Sequence, residues 1–268
     1  MRRFVLARNF DAPESSPSGE LWPRYHRLVA PTATADVDIA AVGALLGDRA
    51  RASMLAALAG GGALPAAELA EAARVSRPTA SAHLAKLVDG GILLSERRGR
   101  HRYFAIANER VAAAIEALAS IAPTTPANSL RQVEAGAAMR VARTCYDHLA
   151  GRVGVAFYES LVRRRLLEVH DGEAEITPAG ARAFEAFGID LETLRRGRRP
   201  LVLLCLDWSE ERHHLAGAVG AALVVRMFEL GWIERRWRGR AVKVNPRGQA
   251  GLADRFGVPS SAWSAAKR

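Results

Sequence analysis

The stretch ELAEAARVSRPTASAHLAKLVDGGILLSERRGRHRYFAI, residues 68–106, decides how the first half of this chain folds. Its first part has a helical pattern and follows Pro65, a residue that is tolerated in the first turn of a helix. Ser76 is a good N-cap for a second helix, which ends at two consecutive glycines. Apolar and polar residues then alternate around a charged tip that contains glycine, which is typical of a β-hairpin. The order helix, turn, helix, hairpin predicts a winged helix-turn-helix.

Further helices are predicted on both sides of this stretch. Apolar residues recur at helical spacing from Ile39 to Leu58 and stop at three glycines, which indicates two short helices. The segment NERVAAAIEALASIA, residues 108–122, is another amphipathic helix. It is followed by PTTPANS, whose prolines and polar residues favour a linker.

The helix after Ser76 has one apolar face and one face of short polar groups beside Arg77. Such a face fits the major groove of DNA, about 12 Å wide, where arginine can donate two hydrogen bonds to a guanine edge. Between Arg74 and Arg102 there are seven basic residues and two acidic ones, concentrated on this helix and the predicted wing. We therefore predict a surface for double-stranded DNA that comprises Ser76, Arg77, Thr79, Ser81, His83, Lys86, Arg97, Arg98, Arg100 and Arg102.

Two alternatives stay open for this surface. A winged helix can use a solvated basic face for contacts with proteins instead of DNA. His83 is either a direct DNA contact or a packing residue at the edge of the helix.

The recognition-helix sequence resembles the ArsR/SmtB family of bacterial repressors, and the resemblance covers residues 36–122. The residues that match the family pattern are Ser76, Thr79, Ser81, His83, Leu84, Lys86 and Leu87. The resemblance implies a homodimeric repressor on an inverted-repeat operator. It also implies that the first helix and residues 108–120 form the dimer contact.

The places where this family often holds a sensed metal are empty of suitable side chains. Residues 67–73, AELAEAA, contain no cysteine or histidine, and residues 108–120 contain no histidine. Glutamates such as Glu109 and Glu116 are expected at the surface of their helix. A sensor is therefore predicted in the rest of the chain.

Composition limits the partners and the compartment. The chain has 268 residues and a formal net charge of +10, which indicates a polyanionic partner, either nucleic acid or an anionic membrane surface. It has no apolar run of about 18 residues, so we expect no membrane-spanning helix. The start MRRFVLARNF is too short and too polar for a secretory signal. Only two cysteines are present, which favours a reducing cytoplasm.

Two similar stretches, CYDHLAGRVG from Cys145 and HHLAGAVGAA from His213, indicate an internal repeat. Aligning His148 with His214 gives seven identities in nine columns. We predict two copies, at about 140–190 and 200–258, each with one strand, one long helix and a hairpin. Two copies are too few for a solenoid, so a pseudo-symmetric pair is expected.

Both cysteines lie in this repeat. Thr144 and Asp147 resemble a capping box, which predicts Cys145 in the first turn of a helix, where the helix dipole lowers the pKa of a thiol. Cys205 ends the apolar run LVLLC, a predicted strand, and His213 and His214 are expected in the next helix. A pseudo-twofold arrangement would bring four side chains together: Cys145, His148, Cys205 and His214.

Two thiolates and two imidazoles suit zinc or another thiophilic metal or metalloid ion, such as trivalent arsenic, or a redox reaction between the thiols. Three other interpretations stay open. The cysteines can be small buried core residues, beside glycines that let two helices approach closely. A small organic effector can bind between the copies. Cys145 with His148 can also form the nucleophile and base of an enzyme, although no phosphate loop, dinucleotide fingerprint or hydrolase motif is present.

The sequence thus predicts an α+β fold that is mainly helical with small hairpins. Four regions are expected: a flexible leader at 1–35, the winged helix at 36–122, a linker at 123–134 and the duplicated domain at 135–268. We predict a cytoplasmic homodimeric repressor and not an enzyme. An effector that binds in the repeat is expected to release this repressor from DNA. A nucleoid-like protein without an effector would differ in binding all duplexes alike.

Overall fold

The computed structural model describes residues 37–123, 126–236 and 239–263, so the predicted leader at 1–35 lies outside the described residues. The first range contains the predicted winged helix. Its elements are α1 (Ile39–Leu46), α2 (Arg49–Leu58), β1 (Leu64–Pro65), α3 (Ala66–Ala73), α4 (Arg77–Asp89), β2 (Leu93–Arg98), β3 (His101–Ile106) and α5 (Glu109–Ile121). Strand β3 is central in an antiparallel sheet of order β1-β3-β2.

The sequence positions both helices of the helix-turn-helix. Ser76 caps α4 by accepting a hydrogen bond from the Thr79 amide at 3.3 Å, as its N-cap position predicts. Arg74 adopts a left-handed conformation and ends α3. The apolar face of α4 enters a core that includes Met54, Leu69, Ala80, Leu84, Leu87, Leu93 and Phe104. The predicted mainly helical α+β class with small hairpins is therefore confirmed.

Helix α6 (Leu130–Val141) connects the winged helix with the second core and occupies part of the predicted linker at 123–134. Ser129 caps this helix by accepting a hydrogen bond from the Gln132 amide. None of its residues is fully buried, so it lacks the apolar periodicity by which sequence reasoning finds helices.

The second core is built from two stretches with the same order of elements. The first stretch contains β4 (Arg143–Cys145), β5 (His148–Ala150), α7 (Gly151–Arg163), β6 (Leu167–His170), β7 (Glu173–Ile176), α8 (Pro178–Ala186) and α9 (Leu191–Arg196). The second contains β8 (Leu203–Leu206), β9 (His213–Ala216), α10 (Gly217–Glu229), β10 (Ile233–Arg235), β11 (Val242–Val244), α11 (Pro246–Phe256) and a 3-10 turn at Ser260–Ala262.

This order corrects three sequence-based predictions. A two-stranded hairpin, not a single strand, precedes each long helix. Cys145 is the last residue of β4 and not part of a helix, and His213 and His214 lie in β9 and not in α10. The expected capping box does not form, because the Thr144 hydroxyl donates to the carbonyl oxygen of Gly60 at 2.6 Å.

The two long helices pack crosswise on the two leading hairpins. Helix α7 contacts β9 of the other stretch, and α10 contacts β5. An added Cβ at Gly154 would lie 2.3 Å from the Leu149 carbonyl oxygen, and one at Gly220 would lie 2.8 Å from that of Leu215. The glycines of the repeated motif therefore allow each helix to approach its own hairpin at van der Waals distance.

The hairpin that carries Cys145 also contacts the turn after α2 of the winged helix. The Tyr146 amide donates to the Ala59 carbonyl oxygen at 2.7 Å. Gly61 has a φ of +79°, and an added Cβ there would lie 1.8 Å from the Tyr146 carbonyl oxygen. Gly62 has a φ of +86°, but a Cβ there would meet nothing within 4 Å.

This contact gives a matched pair of stability predictions. Both Gly61→Ala and Gly62→Ala place a residue with a Cβ at a position of positive φ, which costs about 1 to 2 kcal/mol of stability. Only Gly61→Ala also forces two backbones apart, which adds about 1 to 3 kcal/mol. Denaturant unfolding of the two variants measures the difference, and equal losses of stability would contradict the described packing of the hairpin on this turn.

Candidate metal centre and nucleic-acid interface

The two leading hairpins each place one thiol beside one imidazole. Cys145 pairs with His148 in the β4–β5 register, and Cys205 pairs with His214 in the β8–β9 register. Directly opposed residues of an antiparallel pair point to the same face of the sheet. Because the hairpins meet, one potential ligand atom from each of these four residues lies within 4.8 Å of all the others.

The separation of the two sulfur atoms is compatible with one shared tetrahedral ion. The two sulfur atoms are 3.9 Å apart, and the centroids of the two imidazole rings are 5.0 Å apart. Two thiolates bound to one zinc ion at about 2.3 Å would be separated by about 3.8 Å in a regular tetrahedron. Both cysteines are free, and their separation is too long for a disulfide bond, which is about 2.05 Å.

The two histidines have buried nitrogen atoms without a hydrogen bond of ordinary geometry. These atoms are Nε2 of His148 and both ring nitrogens of His214, and the two residues are 3% and 0% exposed. Buried polar atoms of native proteins are nearly always satisfied, so an unsatisfied pair at one point calls for a ligand. Both imidazoles also interact with the Cys205 sulfur and favour its thiolate, and an ion held by that sulfur would satisfy the Nε2 atom of each ring.

The pKa values of the two thiols are shifted in opposite directions. The pKa of Cys205 lies well below its usual range, because the Cys145 thiol donates to it and both histidines favour the thiolate, although burial opposes the shift. The pKa of Cys145 is raised by the same hydrogen bond and by burial. Of the two cysteines, Cys205 is thus the one whose thiolate form is favoured. The predicted lowering of the Cys145 pKa is wrong, because that residue lies in a strand and not at a helix N-terminus.

Two carboxylates lie beside the histidines: Asp147, which the sequence suggested only as part of a capping box, and Asp207, which sequence reasoning missed. Asp147 Oδ1 is 3.4 Å from Nδ1 of His148, and Asp207 Oδ2 is 3.5 Å from Nδ1 of His214. Histidine ligands of metals usually direct their second nitrogen at such a carboxylate. The repeated pattern Cys-x-Asp was the available signal: the cysteines and the aspartates are each 60 residues apart, whereas the aligned histidines are 66 apart.

Asp207 is fully buried and lies at the centre of a polar network. It accepts hydrogen bonds from the Arg143 guanidinium at 2.9 Å and from the Gly151 amide at 2.6 Å. Burial raises the pKa of Asp207, but Arg143 and the Gly151 amide outweigh it and hold the pKa at about 2. Arg143 is itself fully buried and stacks on the Trp208 ring, with its guanidinium carbon 4.6 Å from the ring centroid.

Both glutamates of α5 were expected at the surface, but Glu116 is buried and Glu109 is half-buried. Glu116 is 2% exposed and accepts a hydrogen bond from Arg240. Glu109 accepts a hydrogen bond from Arg199 at 2.7 Å. The partners belong to a part of the chain more than 80 residues away, so nothing in the local sequence of α5 indicated these ion pairs.

The predicted DNA-binding residues lie on α4, on β2 and β3 and on the turn between these strands. Arg77 lines a cavity of about 280 Å³ with Arg100 and Arg102, at the N-terminus of α3. Three arginines from α4, the wing turn and β3 thus lie around one concave part of the surface. The remaining predicted residues with an exposed position are Ser76, Thr79, Ser81, Lys86, Arg97 and Arg98.

His83 differs from the others. Its Nδ1 lies 3.4 Å from the Arg51 guanidinium and 3.6 Å from the Asp48 carboxylate, and its side chain is only 18% exposed. The geometry therefore favours the packing alternative for His83 over a direct contact with DNA.

The comparisons with known proteins agree with this architecture. Residues 46–96 match a helix-turn-helix domain family. The chain is 42% identical over 221 residues to an uncharacterized HTH-type transcriptional regulator, YdfF, of Bacillus subtilis (strain 168), and the match covers 82% of this chain and 98% of that protein. The chain belongs to this family of helix-turn-helix transcriptional regulators. A transcriptional regulator of this family is not an enzyme.

Solved structures similar to the regulator cover its winged helix. A DNA-binding domain of Mb0332 from Mycobacterium bovis, a possible ArsR-family regulator, is 34% identical over 30% of this chain and 73% of that chain, with a TM-score of 0.28. The cadmium metal-sensor CMTR from Mycobacterium tuberculosis is 26% identical over 34% of this chain and 94% of that chain, also with a TM-score of 0.28. No described helix of the regulator is long and apolar enough to cross a membrane.

Proposed function

We propose that this regulator is a metal-responsive repressor and that its duplicated second half holds one ion between Cys145, His148, Cys205 and His214. The observation that carries the proposal is the convergence of these side chains, with potential ligand atoms within 4.8 Å of one another. The unsatisfied imidazole nitrogens favour an ion over a purely structural role for the cysteines. An organic effector would bind elsewhere, for example in the cavity of about 260 Å³ that Ile189 of the first copy and Val225 of the second line with seven other residues.

The chemistry of the ligands favours a divalent ion with tetrahedral preference. Two sulfur and two nitrogen ligands in a buried tetrahedron suit Zn²⁺ or a softer ion of the same geometry. Trivalent arsenic bound through sulfur would use only the two cysteines and leave both imidazoles unsatisfied. A disulfide would do the same, so metal binding accounts for more of the site than thiol oxidation does.

For DNA binding we propose that Arg77, Thr79 and Ser81 on α4 face base edges and that the wing arginines contact phosphates. These three residues of α4 are exposed. The β2–β3 hairpin carries the wing residues Arg97, Arg98, Arg100 and Arg102. Short polar groups beside an arginine suit readout in the major groove, whereas guanidinium groups on a hairpin suit the backbone.

We further propose that the regulator is a cytoplasmic homodimer that binds an inverted repeat. Two recognition helices in successive major grooves require two copies of the winged helix. Apolar side chains suited to a dimer contact stay exposed at Ile39 and Val42 on α1 and at Leu118 and Ile121 on α5. Within α5, Ala112 and Glu116 are buried, whereas Ala113, Ala114 and Ala117 are exposed. The exposed side of α5 thus leaves room for the dimer contact that the sequence predicts over 108–120.

The proposal predicts a specific response to metal. The purified full chain, reduced with a phosphine, should bind one Co²⁺ per chain with the absorption of a tetrahedral thiolate complex, and Zn²⁺ should displace it. Binding of Zn²⁺ should weaken the affinity for a duplex selected by the metal-free protein from a random-sequence pool. An organic effector or an effector-free DNA-compacting protein would give neither result, and an unchanged DNA affinity on saturation with Zn²⁺ would contradict the sensing role.

A further inference from the structure

Each histidine of the proposed metal site is the first member of a chain of charged groups. In the first chain, His148 faces Asp147, whose two oxygens accept hydrogen bonds from Arg199 at 2.5 and 3.0 Å. The same guanidinium group donates to Glu109 at 2.7 Å. Glu109 is the first residue of α5, so this chain runs from the repeat hairpin to the winged helix.

The second chain has the same chemical order. His214 faces Asp207, and Asp207 accepts a hydrogen bond from Nη2 of Arg143 at 2.9 Å. This nitrogen lies 3.9 Å from the Glu116 carboxylate. The side chains of His214, Asp207 and Arg143 are completely buried, and that of Glu116 is 3% exposed. In such surroundings, electrostatic interactions are much stronger than at the surface.

Both chains end on one side of one helix. Glu109 and Glu116 are seven residues apart in α5, which is about two helical turns, so their side chains share a face. The helix follows the wing almost directly, since β3 ends at Ile106. Its residue Ala112 belongs to the core of the winged helix. A displacement of α5 therefore acts on the base of the wing and on the core behind α4.

We infer that Asp147 and Asp207 are positioning residues that orient His148 and His214, and that the two chains of ion pairs transmit occupancy of the site to α5. This inference rests on the proposed metal site. An ion on Nε2 fixes each ring with its Nδ1–H directed at a carboxylate. With an ion bound, the contacts of 3.4 and 3.5 Å would shorten, and each aspartate would shift relative to the arginine that also interacts with a glutamate of α5.

The inference is tested with substitutions at the far end of the chains, away from the ligands. Glu109→Gln, Glu116→Gln and the double variant keep the shape of the side chains but remove the charges. Glu192→Gln is the matched control, because Glu192 also pairs with an arginine, Arg196, but on the exposed surface of α9. For each full-length variant, the affinity for Zn²⁺ and the affinity for the selected duplex with and without Zn²⁺ are measured.

The double variant should bind Zn²⁺ without DNA within about threefold of the wild-type affinity, since the four ligands are intact. The factor by which Zn²⁺ changes DNA affinity should fall by about tenfold or more, and by reciprocity DNA should change Zn²⁺ affinity by the same reduced factor. Glu192→Gln should retain the wild-type factor. A purely structural role of the glutamates would not reduce the two linked factors together while leaving Zn²⁺ affinity unchanged.

Three outcomes would overturn the inference in distinguishable ways. If the double variant is folded and Zn²⁺ changes its DNA affinity by the same factor as in the wild type, the transmission is overturned but the proposed metal site is not. A wild-type protein that binds no Zn²⁺ overturns the proposed function and the inference together. If circular dichroism shows that Glu116→Gln is unfolded, the test uses Glu109→Gln and Arg199→Lys instead. The transmission is also overturned if Zn²⁺ changes the DNA affinity of these folded variants by the wild-type factor.

Discussion

Replacement of either cysteine of the site by serine should reduce Zn²⁺ affinity by more than about 100-fold, since changes to groups that merely support a ligand already cost 10- to 100-fold. The double variant Cys145→Ser, Cys205→Ser should be hardly worse than either single variant. The reason is that the two sulfurs, 3.9 Å apart, would serve one ion, and the loss of either destroys a shared site. Calorimetric titration with Zn²⁺ measures these affinities.

The histidines supply the matched control for this prediction. His214→Asn should lose Zn²⁺ affinity like the cysteine variants, because His214 is buried at the site. His170→Asn should not, because the His170 side chain is 73% exposed on the β6–β7 hairpin. All of the site variants should bind DNA in the absence of metal with wild-type affinity. Additive losses from the two cysteines would show that they do not act as one site.

Asp207→Asn should destabilise the fold by about 3 to 5 kcal/mol, because it removes the nearer charged partner of the buried Arg143 and leaves only the Glu116 carboxylate at 3.9 Å. The control is Glu159→Gln, which breaks the exposed ion pair with Arg212 and should cost no more than about 1 kcal/mol. Denaturant unfolding at neutral pH measures both changes. Equal and small effects would contradict the description of Asp207 as an essential partner inside the core.

The pH dependence of stability gives a second reading of the same residue. The pKa of Asp207 is lowered from 3.8 to about 2 in the folded chain, so its ionised form favours the folded state. This contribution is fully present above about pH 5 and is lost as the pH falls toward 2. The wild-type chain should therefore lose more stability than Asp207→Asn between these values.

Sequence reasoning found the elements whose signals are local. Ser76, the glycines after α4 and the alternating wing are sufficient to predict the winged helix, because caps and short periodic patterns act within a few residues. The repeat was also visible, and with it the pairing of two thiols and two imidazoles. A pseudo-twofold arrangement was the only added assumption needed to place Cys145 near Cys205.

The parts that were missed depend on contacts between distant segments. The hairpin around Tyr146 has strands of three residues, too short to show an alternating pattern, so its residues were assigned to a helix. The six additional residues of the second hairpin hid the equivalence of Asp147 and Asp207. Glu116 was expected in solvent because its partner Arg240 is remote in sequence. In each case, tertiary structure overrode the local pattern.

The division of the four side chains between two hairpins has a consequence for how such a site responds to protein concentration. One hairpin alone would supply only two of the four proposed ligands. If the two hairpins belonged to separate chains, these chains would have to associate before they could hold an ion. In this chain both hairpins belong to one polypeptide, so the effective concentration of the two halves of the proposed site would be set by the chain and not by the expression level. Occupancy at a given free-ion concentration should accordingly be the same in a dilute and in a crowded cell.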